Sequence, residues 1–348
     1  MRLLICTQAV DKNDPILGFF HRWIEEFAGQ CEKVTVVCLR LGEQSLPQNV
    51  EVISLGEKGR IMRAIRLLRI ASAKQKEYDA VFVHMNPEYI VVAGLLWRVL
   101  RKRISLWYAH KSITLFLRIA TLISDVICTA TPSTFPLKSP KVVVAGQGID
   151  VQAFVPVSHE LRPGLRLISV GRIAPSKGLT TMVKAVTEAA KTVQGISFQM
   201  YGIPTTREEM RYERDVDSLI AIGKANEYIT LPGPVRFEKL PAALGEADAF
   251  LTMGTTGGMD KAVLDAMACG LPVIGANFVF TQLLENAGTA VPLGDEHALA
   301  QAIQSFAGKN LEERVRIGVM MRDEVVKNFS LSSFVGRLIV ALSIPSKS

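Results

Sequence analysis

The chain has 348 residues, 49% of them hydrophobic and 21% charged, with a formal net charge of +7. That length suits two domains of about 150–200 residues each, and the balance excludes a disordered or collagen-like chain. No apolar run approaches the ~20 residues of a membrane span, and the five cysteines lie mostly in apolar runs, as buried thiols would in a reducing cytoplasm.

The opening Met1–Thr7 is too short in its apolar run for a signal peptide and reads as a first strand. Further strands are predicted at Val34–Leu39, Val50–Ser54, Ala80–His84, Ile104–Tyr108, Val126–Thr129 and Val142–Ala145, with helices between most of them. The first helix should start at Asp14-Pro15, with Asp as N-cap and Pro at the first helical position. Polar and Pro residues in Gly146–Asp150 and Pro156–Pro163 break the pattern. It then resumes with strands at Leu165–Val170, Ser197–Tyr201, Tyr228–Leu231, Ala249–Met253, Pro272–Gly275 and Thr289–Pro292. Helices at Leu311–Asn328 and Leu331–Leu342 follow. The expected class is α/β, with two Rossmann-like doubly wound domains facing across a cleft, residues 1–155 and 156–328, and a C-terminal helix within 329–348 returning toward the first.

The basic excess is confined to the first half: residues 1–150 hold 20 Lys and Arg against 13 Asp and Glu, and residues 151–348 hold 20 of each. Between Gly59 and Lys76 a helical projection separates an arc of Ile61, Met62, Ala64, Ile65 and Leu68 from one of Arg60, Arg63, Arg66, Arg69 and Lys74, with Leu67 and Ile70 interleaved among the cations. Two readings stay open: a sheet-covering helix with a solvated basic face, or a contact with an anionic membrane surface through Arg60, Arg63, Arg66 and Arg69. The second would make a cytoplasmic protein peripheral at the inner face of a membrane. Nucleic acid is not expected, since no aromatic platform accompanies the charges.

Two stretches of the second half could carry chemistry. Ser169–Gly178 takes a buried strand through Gly171, Arg172 and Lys177 into a helix. That pattern suits an anion held by helix N-terminal amides and two cations, or else is a solvated loop with surface charges. Thr255–Lys261 is a Gly-rich turn before a helix that places Asp265 among Val263, Leu264, Ala266 and Met267. A carboxylate there must face a cleft or find a donor.

Gly171-Arg172 with Lys177-Gly178, followed later by Leu264–Ile274, resembles the retaining family-4 glycosyltransferases of the GT-B fold, and Gly148-Ile149-Asp150 with Phe154 resembles their interdomain linker. The resemblance implies transfer of a sugar, with retention, from a nucleotide-diphosphate-sugar donor to a glycan or lipid-linked acceptor, without metal or other cofactor. The first domain would then be the acceptor side and the second the nucleotide-sugar side. Arg172 and Lys177 would neutralise the departing diphosphate, and His110, at the end of a strand, would act near the reacting centre on domain closure. His84, with Asn86 and Glu88, would be acceptor-side. Gly18 would offer a backbone contact to the donor phosphate, and Gly233 and Val235 would lie near the nucleobase. Where the family carries two Glu residues, this chain has Gly257 and Asp265. Asp265 would still meet the ribose, and Gly257, Gly258, Met259, Asp260 and Lys261 would serve the sugar, unless Asp260 only caps the helix. Two alternatives remain: a catalytically silent GT-B protein that binds nucleotide-sugar, and a nucleotide-sugar epimerase of the same fold.

Overall fold

The computed structural model describes residues 1–14, 16–56, 59–156, 163–255 and 258–343. In chain order the elements are β1 (Arg2–Val10), α1 (Phe19–Gln30), β2 (Lys33–Leu41), β3 (Val50–Ser54), α2 (Arg60–Ala73), β4 (Ala80–His84), α3 (Glu88–Val99), β5 (Arg103–Trp107), α4 (Leu115–Ile123), β6 (Val126–Thr129) and β7 (Val142–Val144). They continue with β8 (Leu165–Val170), α5 (Leu179–Ala189), β9 (Ile196–Tyr201), α6 (Arg207–Ile222), β10 (Ile229–Gly233), α7 (Leu240–Gly245), β11 (Ala249–Met253), α8 (Lys261–Ala268) and β12 (Val273–Ala276). Four helices end the chain: α9 (Thr281–Ala287), α10 (Glu296–Ala307), α11 (Leu311–Phe329) and α12 (Leu331–Ser343).

Two compact units result. The first is Met1–Gly148 together with the segment from Leu331 onward, and the second is Ile149–Ser330; the sequence reading sets these boundaries at 155/156 and 328/329. The first unit holds a parallel sheet in the order β3-β2-β1-β4-β5-β6-β7, the second a parallel sheet in the order β10-β9-β8-β11-β12. Their central strands are continuous apolar runs. Ala80–His84 and Ala249–Met253 are buried along their whole length, as strands covered on both faces must be. Right-handed crossovers put α2, α3 and α4 on one face of the first sheet and α1 on the other. There α1 buries Phe20, Trp23, Ile24 and Phe27, and Phe334 of α12 brings its ring to 4.5 Å from Trp23 and 5.2 Å from Trp107. In each sheet the strand order reverses beside its first strand, between β1 and β4 and between β8 and β11.

Three expectations are corrected. Helix α1 begins at Phe19, because the Asp14 carboxylate accepts hydrogen bonds from the Ile16 and Leu17 amides at 2.9 and 2.8 Å and closes a turn first; Pro15 lies outside the described residues. Thr289–Pro292 is no strand: Ala290 makes a single bridge to Gly275, and Pro292 has no amide to extend it. Helix α2 does not turn its apolar arc to the sheet. It buries Leu67 and Ala71 and leaves Ile61, Met62, Ile65 and Leu68 exposed. All five cysteines are buried free thiols, and burial pushes Cys38 to about 11 and Cys128 and Cys269 to about 12.

Candidate functional site

The second sheet reverses between β8 and β11, and the loops leaving these strands carry most of the candidate residues. After β8, Gly171 adopts φ 149°, and a Cβ there would lie 3.0 Å from Lys177 Cε and 3.1 Å from its Nζ. The bare backbone lets the lysine fold back across it. A single 3-10 turn, Pro175–Lys177, leads to Gly178 at φ 65°. A Cβ at Gly178 would lie 2.7 Å from both Cβ and O of Met253, so glycine lets α5 begin hard against the end of β11. The Thr255 amide donates to Ser176 O at 3.0 Å and ties the second loop to the first.

Ion pairs organise the charges. Lys177 Nζ donates to Asp260 Oδ2 at 2.5 Å, while Asp260 Oδ1 accepts from the Ala262 amide at 3.2 Å as N-cap of α8. Asp260 therefore caps the helix and binds Lys177 as well. Arg172, half-exposed, donates from Nη1 to Glu209 Oε1 at 2.8 Å. The other Glu209 oxygen accepts from the Thr205 amide and hydroxyl, both at 2.6 Å. Burial pushes the Glu209 carboxyl up, but the Thr205 hydrogen bonds and the Arg172 charge outweigh it and hold the group below the ordinary range.

Asp265 is 3% exposed, and both its oxygens accept from Lys261 Nζ at 2.8 Å. Burial raises its carboxyl above the ordinary value, and Lys261 offsets part of that. The Lys261 ammonium also lies 4.9 Å from the Phe237 ring centroid and 5.5 Å from that of Phe154. Asp265 thus finds a half-buried donor within its own helix, four residues back. Gly258 and Met259 are half-buried, and Gly257 lies outside the described residues.

The remaining candidates lie elsewhere. Gly233, at φ 87°, ends β10 and accepts from the Gly202 amide at 3.0 Å, and Val235 packs half-buried on the second core. Strand β9 separates both from β8. In the first unit, the Gly18 amide donates to Asp14 O at 2.9 Å and is taken up by its own turn. His110 is exposed in the loop between β5 and α4, its Nδ1 accepting from the Ser112 amide at 3.0 Å. His84 ends β4 buried, stacked on Phe20 at 4.2 Å with Phe19 and Trp23 edge-on. Burial pushes its imidazole down to about 3, so it stays neutral and packs. Among the described residues no three His, Cys, Asp or Glu side chains gather as a metal site would need.

The sequence reading did not find Glu209, which sits on α6 with no local signal linking it to Arg172. It also missed the Lys261–Asp265 pair, whose i,i+4 spacing on a helix was a usable sign.

Residues 164–308 match the family described as Glycosyl transferases group 1. Over 201 residues the chain is 28% identical to WcaL of Escherichia coli (strain K12), named as a candidate colanic acid biosynthesis glycosyltransferase, with 55% of this chain and 48% of that protein covered. Over 175 residues it is 28% identical to the UDP-N-acetylglucosamine–peptide N-acetylglucosaminyltransferase GtfA subunit of Streptococcus pneumoniae, covering 49% of this chain and 32% of that one. The chain therefore spans about half the length, or less, of these curated relatives. Among solved structures, Anabaena HepE in complex with UDP and glucose aligns with a TM-score of 0.77 at 14% identity over 99% of this chain and 100% of that one. Sucrose-phosphate synthase from Thermosynechococcus elongatus gives 0.76 at 17% identity over 98% and 99%. The two parallel sheets share the GT-B fold of these solved structures, and the match to the group 1 glycosyltransferase model is confined to residues 164–308, less than half of the chain.

Proposed function

We propose that the chain is a retaining glycosyltransferase that moves a sugar from a nucleotide-diphosphate-sugar to a glycan or lipid-linked acceptor without a metal. One observation carries the reading: Arg172, paired with Glu209, and Lys177, paired with Asp260, lie in the loop that leaves β8, where the second sheet reverses between β8 and β11. Open parallel sheets bind ligands at such a point, and two cations there suit a diphosphate. As the bond to the sugar breaks, negative charge builds on the leaving diphosphate, and Arg172 and Lys177 stabilise it. The acceptor hydroxyl attacks from the face that the diphosphate leaves, and its proton passes to the leaving phosphate oxygen. That route retains configuration and needs no side-chain nucleophile, so the glycine at 257 does not stop it.

In the free protein both cations are held by carboxylates, so the diphosphate enters by exchange with Asp260 and Glu209. The UDP and glucose bound to HepE, and the UDP-sugar in the name of the GtfA subunit, make uridine diphosphate sugars the first donors to test. The part given to His110 is tested by His110→Ala, expected to slow transfer and leave donor affinity unchanged.

The experiment is a thermal-shift series with nucleoside diphosphates and their sugars, followed by assignment of the product anomer by NMR in the presence of a chelator. Stabilisation by one nucleotide and a product with the donor's anomeric configuration are expected. Absence of any shift would overturn the donor site, and an inverted product would overturn retention. A second reading, binding without turnover, has its own observation: Asp265 is taken up by Lys261, and Gly257 has no side chain to offer a sugar. Stabilisation with no product across a panel of acceptors would select it.

A further inference from the structure

On the first unit, α3 packs between α2 and α4, and all three helices turn apolar side chains outward. Ile61 on α2 is 79% exposed, Val99 on α3 79% and Leu122 on α4 76%. Ile65, Leu95 and Leu115 continue the same exposure. Cations are interleaved with them: Arg60, Arg66 and Arg69 on α2, Arg101 just past α3 and Arg118 on α4 are exposed, with no carboxylate partner among the described residues. Glu88, at the start of α3, is the one acidic residue these helices contain.

We infer that the outer face of α2, α3 and α4 docks on an anionic lipid bilayer. Its helices lie along the interface, the apolar side chains reaching the acyl boundary and the arginines meeting lipid phosphates. A second copy of the chain would set arginine against arginine across the same face. A nucleic acid would match the charge but leave Ile61, Val99 and Leu122 in water. Among the described residues no helix is long and apolar enough to cross a membrane. The inference rests on the first unit alone and stands apart from the donor reading.

The test is co-sedimentation of the full chain with phosphatidylcholine vesicles, with and without added phosphatidylglycerol. The wild type should sediment with the anionic vesicles alone. Arg66→Gln with Arg69→Gln should lower its partition coefficient by about thirtyfold, at ~1 kcal/mol for each cation lost. Leu95→Asn with Leu122→Asn should weaken it too. All four positions are exposed, and an unchanged melting temperature shows that each variant folds. The proposal falls if the wild type stays in the supernatant or if either pair of substitutions leaves binding unchanged. It also falls if sedimentation velocity without vesicles shows a dimer that Leu95→Asn with Leu122→Asn dissociates.

Discussion

Lys177 Nζ lies 2.5 Å from Asp260 Oδ2, and the two residues come from loops that leave the adjacent strands β8 and β11. In the free protein the lysine that would grip a diphosphate is already neutralised by a helix cap. Replacing that carboxylate by an amide keeps a capping oxygen and removes the competing charge. Asp260→Asn should therefore bind a nucleoside diphosphate more tightly, by up to about fivefold for a pair worth ~1 kcal/mol. Isothermal titration with uridine diphosphate reads this directly, and weaker binding would count against a shared site.

Removal of the cations acts the other way. Arg172→Ala and Lys177→Ala should each lower kcat by about a hundredfold or more, since each removes stabilisation of charge that develops only as the donor bond breaks. Initial rates at saturating donor measure the effect. Unchanged rates in both variants would refute the assignment.

The Lys261–Asp265 pair makes a prediction about stability. Lys261→Met strands a buried carboxylate, which should cost about 3–5 kcal/mol at neutral pH. Burial already raises this carboxyl in the folded state, and loss of the lysine raises it further. A group so raised favours the fold while protonated and loses that contribution as pH rises through its folded value. The deficit of the variant should therefore shrink as pH falls toward the unfolded value near ~4. Urea titrations at several pH values test it, and Lys261→Met with Asp265→Asn should recover part of the loss.

His84 gives the opposite sign. Its folded value is about 3 and its unfolded value ~6.5, so its contribution is complete above the unfolded value and is lost on acidification. By about pH 5 the loss should reach ~2 kcal/mol. His84→Gln gives up ring stacking at neutral pH, but its melting temperature should fall less between neutral pH and pH 5 than that of the wild type. Parallel slopes for the two proteins would show that some other group governs acid sensitivity.

Much of the architecture was legible because buried parallel strands are written as uninterrupted apolar runs. Leu165–Val170 and Ala249–Met253 begin and end where their residues predict. Helix α2 was harder to read because apolar residues occur on both of its arcs. Periodicity finds a helix there but does not choose between Leu67 with Ala71 and Ile61 with Ile65 as the buried pair. Within the site, Arg172 and Lys177 were legible from glycines and charges in one short turn. Glu209 was not, because its approach to Arg172 depends on where α6 packs. The Thr289–Pro292 run has strand-like composition, but its proline removes the donor that a ladder requires.

Phe334 has an implication for how the chain reaches its fold. It lies against Trp23 and Trp107, yet almost two hundred residues of the second unit separate it from the rest of the first. As the polypeptide emerges during synthesis, the N-terminal sheet must wait with two tryptophans uncovered while the entire following unit is made. The second unit can finish folding first, and the N-terminal one is completed last.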